Sequence, residues 1–211
     1  VGTPVSVGKA LVDAGFDVIC LANNHALDKG MYGIDTTIKY FKELGVYTAG
    51  VHGSKESADN AKDSITWIEK DGIRIAVLSF TDSLNSIHVP DEYKHAVETL
   101  KDERRVSKAI KYARARADAV IVYVHWGEEY EESANDRQKD LSGMLSENGA
   151  DVIVGSHPHV VQQTEIIPKE ESGHETIVYY SLGNFLSAQE RKDCRQRAFA
   201  EFMICKGTDI A

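Results

Sequence analysis

The segment Val154 to Val161, VGSHPHVV, sets two histidines one residue apart directly after an apolar run. Neutral imidazole is a common ligand for zinc, iron, manganese and nickel, and it is mostly neutral at physiological pH. A residue before proline is pushed out of the helical region, and in an extended chain side chains at i and i+2 point the same way. The pattern predicts that His157 and His159 stand in extended backbone and face one point. Proline has no N–H, so a sheet ladder should end there and free both rings for a ligand. Two further apolar runs end in the same manner: VICLANNH delivers Asn24 and His25, and VIVYVHWG delivers His125. Ligands of open α/β sheets gather where strands end, so three such ends suggest one shared rim.

Asn24, His125, His157 and His159 together offer imidazole nitrogens and an amide oxygen. That set suits a divalent cation, but a catalytic metal pair also wants a carboxylate to bridge it and offset its charge. The carboxylate is expected from outside this chain. A single structural zinc is the rival reading. Of the eight histidines, His52, His88, His95 and His174 are read as surface or hydrogen-bonded residues, His174 within a hairpin turn. Asn23 reads first as a turn residue and Asp28 as a loop brace, with contact to a substrate as the second reading of each.

These residues need rigid elements to hold them. Helix-period and strand-period segments alternate along the chain, which indicates layered α/β architecture. Helices are expected at Val5 to Ala14, Gly33 to Leu44, Asp102 to Arg116 and Asn135 to Asn148. Strands are expected at Phe16 to Ala22, Val46 to Ala49, Ala119 to Val124, Asp151 to Val154, Thr176 to Leu182 and Ala198 to Ile204. Two more strands meet at Asp71-Gly72, a dipeptide suited to a tight hairpin because both residues tolerate positive φ. Thr81 to Lys101 shows no clear period.

Composition narrows the function. With a formal charge of -9, no nucleic-acid partner is expected, since such partners are held through lysine and arginine. A small anion could still bind locally. Arg191 to Arg197, RKDCRQR, reads as a solvated loop rather than a polyanion site. The three cysteines show no CxxC spacing, and Cys20 reads as an inert core thiol.

GFDVICLANNHALDKG, VIVYVHWGEEY, GADVIVGSHPHVVQ and VYYSLGNF, in this order, resemble the CapA proteins of bacterial capsule and poly-γ-glutamate synthesis. Their domain is similar to calcineurin-like metallophosphoesterases. The resemblance implies one domain over 1–211, an α/β fold of four-layer α/β/β/α type with mixed sheets and its first strands missing. It also implies two divalent metal ions, manganese, iron, zinc or magnesium, in the intact protein. By the same resemblance Asn24, His125, His157 and His159 are metal ligands, His25 is a general acid or electrostatic stabiliser, and Glu129 and Asn184 lie near the substrate. The Gly-Asp ligand block that opens such domains does not precede GTPVSVGKALVDAGFD, so the site in this chain is expected to be incomplete. The implied activity is phosphoesterase-like hydrolysis of an anionic small molecule or polymer, with capsule-synthesis membrane proteins as partners and a tether outside the cytoplasmic membrane. A non-catalytic polymer-binding or export module is the alternative.

Overall fold

The computed structural model describes residues 2–54, 60–87, 89–168 and 175–205. Twelve regular elements appear among them: α1 Val5–Asp13, β1 Val18–Cys20, α2 Gly30–Glu43, β2 Tyr47–Ala49, β3 Thr66–Lys70, β4 Ile73–Thr81, α3 Glu103–Arg114, β5 Ala119–His125, α4 Asp136–Glu147, β6 Val152–Ser156, β7 Thr164–Pro168 and β8 Glu175–Tyr179. Six strands form one sheet in the order β3-β4-β5-β6-β8-β7, and β1 pairs with β2 in a second, parallel sheet. The four inner strands of the large sheet run parallel, so their carboxyl ends share one edge. Its outer strands β3 and β7 are antiparallel to their neighbours.

Alternation along β5 explains how the layers stack. Val120, Val122 and Val124 are fully buried in a core with Val106 and Ile110 of α3 and Leu141 and Leu145 of α4. Burying each such aliphatic side chain contributes roughly 1.5–3 kcal/mol. Ile121, Tyr123 and His125 therefore face the opposite side of the sheet, towards β1 and β2. There Gly50 lies so close to β4 that a Cβ would stand 2.7 Å from the Ser79 carbonyl oxygen. On the outside of the small sheet α2 carries α1, with the Tyr40 hydroxyl donating to the Val5 carbonyl at 2.8 Å. The resulting layers are helices, small sheet, large sheet and helices.

Local signals set several boundaries. Asp71 and Gly72 both take positive φ, 53° and 75°, as the tight hairpin between β3 and β4 requires. Asn135 and Gln138 form a reciprocal capping box that starts α4, and the Asp102 carboxylate accepts the Arg105 N–H to start α3. Helix α2 begins three residues before the expected Gly33, because Met31 packs on the cluster of Ala22, Leu27 and Ile34 and holds the first turn. The aperiodic stretch after β4 is a folded crossover. It buries Leu84, Ala96, Val97 and Leu100 and pairs by single bridges, Val97 with Val51 and Thr99 with Thr81.

One strand is unforeseen and one expected strand is missing among the described residues. Strand β7 has a sparse apolar pattern and takes its place through pairing with β8 rather than through burial. The strand expected over Ala198 to Ile204 does not form. A strand needs a hydrogen-bonded neighbour, and beyond the Arg197 to Gly183 bridge and the Ala198 N–H to Leu182 bond this segment shows none among the described residues. Phe199 and Met203 there are exposed. His88 and the turn around His174 lie outside the described residues.

One close approach fixes the centre of the sheet. A Cβ on Gly155 would come within 2.0 Å of the Tyr180 carbonyl oxygen and 2.5 Å of Trp126 Nε1, which donates to that oxygen at 2.9 Å. Backbone cannot yield as a flexible side chain can. Gly155→Ala is therefore expected to lose about 3 kcal/mol or more, read from the urea midpoint; a loss below about 1 kcal/mol would show that the strands can part.

Candidate metal centre

The carboxyl edge of the large sheet carries the expected residues. His125 ends β5, Ser156 ends β6 and is its partner in register, and His157-Pro158-His159 follows at once. The turn after β1 supplies Asn24, whose amide oxygen lies 3.0 Å from His125 Nε2. The His125 and His157 ring centroids are 4.7 Å apart, and those of His157 and His159 6.1 Å. Four residues from three strand ends thus share one rim.

The route by which the two histidines converge differs from the expectation. His157 has φ of 103° and His159 of 64°, so neither is extended. Strand β6 runs parallel to β8 whereas β7 runs antiparallel to it, so the chain must reverse between Ser156 and the Val161 bridge to Leu182. Left-handed residues make that reversal, and the Tyr130 N–H, itself at φ of 70°, fixes it by donating to the Pro158 carbonyl at 2.8 Å. Three non-glycine residues in a region L-amino acids rarely occupy store strain of order 1–3 kcal/mol each, a pattern that clusters at functional sites.

The other candidates surround this rim. The half-exposed His25 pairs through Nδ1 with Asp28 Oδ2 at 2.9 Å. Asn23 is engaged by the backbone: its amide donates to the Leu21 carbonyl at 2.9 Å and its oxygen accepts the His25 N–H at 2.8 Å. Asn184 accepts from His159 Nδ1 at 2.8 Å. Glu129 Oε1 lies 3.9 Å from His159 Nε2.

The chemistry of the donors fits a cation. Burial first, then the neighbouring His157, His159 and His25, hold His125 well below an ordinary imidazole, at about 3. Burial likewise lowers His157. Neutral imidazoles keep a lone pair for a metal without competition from protons. Yet among the described residues no group of three or more His, Cys, Asp or Glu is gathered to hold an ion. His125 Nε2 meets the Asn24 amide oxygen instead. Cys20 takes no part, its thiol pushed up to about 12 by burial.

The family model described as bacterial capsule synthesis protein PGA_cap matches residues 1–189. The chain belongs to this family. It is 34% identical over 198 residues to the PGA biosynthesis protein CapA of Bacillus subtilis, covering 94% of this chain and 50% of that protein. It is equally 34% identical over 201 residues to the capsule biosynthesis protein CapA of Bacillus anthracis, covering 93% and 46%. The PGA_cap chain thus spans about half the length of the curated relatives it matches. In fold it is similar to Thermus thermophilus sulfate thiohydrolase SoxB in complex with glycerol, with a TM-score of 0.51 at 17% identity, covering 84% of this chain and 30% of that one. A Staphylococcus aureus protein assigned as a 5'-nucleotidase, with alpha-ketoglutarate bound, also gives 0.51, at 12% identity over 88% of this chain and 42% of that one. The PGA_cap fold is therefore of the metallophosphoesterase and 5'-nucleotidase type.

Several residues at the rim carry no motif of their own. Ser156 reaches His125 and Tyr123 reaches Ser156, Asn85 holds Asn24, and Tyr130 stacks on His159 with centroids 5.8 Å apart. Strand alternation could have found Tyr123, two residues before His125 on the same face of β5.

Proposed function

We propose that this PGA_cap chain forms the core of a metal-dependent, phosphoesterase-like hydrolase serving capsule or poly-γ-glutamate synthesis. The reading is carried by the convergence of Asn24, His125, His157 and His159 at the carboxyl edge of the sheet. These four would hold a divalent cation, manganese, iron, zinc or magnesium, and a second ion would need carboxylates that this set does not include. When bound, such ions supply Lewis acidity and a water acidified towards roughly pH 7. His25 donates its Nδ1 proton to Asp28, which leaves Nε2 to carry a proton to a leaving oxygen and lets the carboxylate stabilise the imidazolium. His159, anchored through Nδ1 by Asn184, presents Nε2. The substrate would be an anionic small molecule or polymer. Capsule-synthesis membrane proteins are the proposed partners, at an extracytoplasmic location; no helix among the described residues is long and apolar enough to cross a membrane.

The alternative is a non-catalytic module that holds polymer during synthesis or export. It is favoured by the lack of a gathered ligand cluster among the described residues. Hydrolysis of p-nitrophenyl phosphate and bis(p-nitrophenyl) phosphate by the full-length protein with manganese separates the two. The enzyme reading expects His25→Ala and His157→Ala to lose at least about 100-fold in rate. Equal rates in all three proteins, or no hydrolysis with polymer binding retained, would overturn it.

A further inference from the structure

A second polar cluster lies apart from the rim, where β2 meets β3. A cavity of about 200 Å3 lies there between Thr48 of β2, His52 of the turn that follows it and Asp63 of the 3-10 turn Ala61–Ser64, with Ile38 and Val51 as its apolar wall. None of its lining residues belongs to the rim. His52 is held from behind. Its Nε2 lies 2.9 Å from Glu98 Oε1, and a carboxylate only accepts, so Nε2 carries a proton and the neutral ring leaves Nδ1 bare. The His52 side chain is 11% exposed, yet Nδ1, which has no partner among the described residues, is not sealed from solvent. The cavity is the opening that reaches it. Asp63 uses one oxygen, Oδ2, to accept the Asn60 N–H at 3.1 Å and keeps Oδ1. Thr66 Oγ1 donates to the Thr48 carbonyl at 2.9 Å, and the Thr48 hydroxyl itself makes no hydrogen bond among the described residues.

We propose that this cavity binds a small primary amine as its ammonium ion, received by Asp63, His52 Nδ1 and the Thr48 hydroxyl. A carboxylate oxygen, a bare imidazole nitrogen and a hydroxyl all accept, and an ammonium brings three donors. The lining decides the sign of the charge. Asp63 contributes a negative charge and no lysine or arginine is among the described lining residues, so an anion would meet repulsion without a compensating cation. The nearby Arg105 faces Glu98, behind the imidazole, at 2.9 Å. A caged metal ion fits poorly, because no third carboxylate, thiol or imidazole joins His52 and Asp63 among the described residues. Ile38 and Val51 suit a short alkyl stem, and the size of the cavity limits the ligand to a compact amine. The site shares no group with the metal rim and does not depend on the reading of it.

Ethylammonium chloride is the probe, titrated into isotope-labelled full-length protein at constant ionic strength and read by NMR at the His52 imidazole and the Ser64 amide. Tetramethylammonium, equal in charge but without N–H donors, and acetate, opposite in charge, are the comparisons. Saturable shifts are expected with ethylammonium, binding at least about tenfold weaker with tetramethylammonium, and none with acetate. Asp63→Asn removes the charge and keeps an oxygen for the Asn60 N–H, and it should weaken ethylammonium by at least about tenfold. Thr48→Val keeps the shape of the side chain and should weaken it by roughly 2- to 10-fold. If Asp63→Asn fails to fold, Thr48→Val and the three probes decide alone. No saturable shift with ethylammonium, equal affinity for tetramethylammonium, acetate moving the same signals as strongly, or wild-type affinity in either variant would overturn the assignment.

Discussion

Arg105→Met is expected to lose about 3–5 kcal/mol of stability, because it leaves the Glu98 carboxylate buried without its guanidinium. Glu98 is 2% exposed and Arg105 9%, and they meet through two bonds, Nη2 to Oε1 at 2.9 Å and Nε to Oε2 at 3.3 Å. His52 Nε2 at 2.9 Å and Ser64 Oγ at 2.7 Å complete the shell of Glu98 Oε1. The network joins four separate segments: the turn after β2, the short 3-10 helix Ala61–Ser64, the crossover before α3, and the first turn of α3. A double-mutant comparison distinguishes a lost ion pair from lost packing. Replacing both partners removes the orphaned charge, so Glu98→Gln with Arg105→Met should be more stable than Arg105→Met alone. A double variant less stable than the single would refute the ion-pair account.

The same carboxyl sets a pH window. Burial pushes Glu98 up, but hydrogen bonds from His52, Arg105 and Ser64 outweigh it and hold the group down at about 2 against an ordinary 4.5. A depressed carboxyl contributes stability that is fully present above its unfolded value and lost as pH falls through its folded value. Here that loss runs from 4.5 down to about 2. Arg105→Met raises the folded value towards the ordinary one, so the loss should become smaller and end at higher pH, visible as a flatter dependence of stability on pH below 4.5 in chemical melts.

Sequence patterns carried most of the framework and the position of the rim, for a physical reason. Apolar alternation along β5 and the Asp71-Gly72 turn are local codes whose meaning does not depend on distant partners. The placement of His125, His157 and His159 followed from strand ends that parallel order brings to one edge, and the turn after β1 of the small sheet adds Asn24. Features that depend on a neighbour could not be read in this way. Strand β7 exists through its pairing with β8, and the Ala198 to Ile204 pattern fails for want of such a neighbour among the described residues. Ser156 looks unremarkable in sequence and meets His125 only because register sets the two opposite each other. The φ angles of His157 and His159 are set by where the chain must go next, which overrides the local preference that proline imposes.

That override gives the second large effect, at His157. Its φ of 103° is easily reached by glycine and poorly by any residue with a Cβ. No hydrogen bond from its ring is found among the described contacts; the ring packs against His125 and His159. Alanine therefore removes the imidazole and keeps the strained backbone, whereas glycine removes both. His157→Gly is expected to be more stable than His157→Ala by about 1–2 kcal/mol in urea melts. If His157 is a ligand, both variants of the full-length protein should bind zinc more weakly than the wild type, by more than the roughly 10–100-fold that loss of an outer-shell partner costs. Stability and binding then separate on going from alanine to glycine: one recovers and the other does not. Equal stabilities would show that the positive φ stores no strain. Wild-type affinity in His157→Gly would remove His157 from the ligand set while leaving the strain measurement intact. Only a site that trades backbone ease for an imidazole at this point of the rim gives both results together.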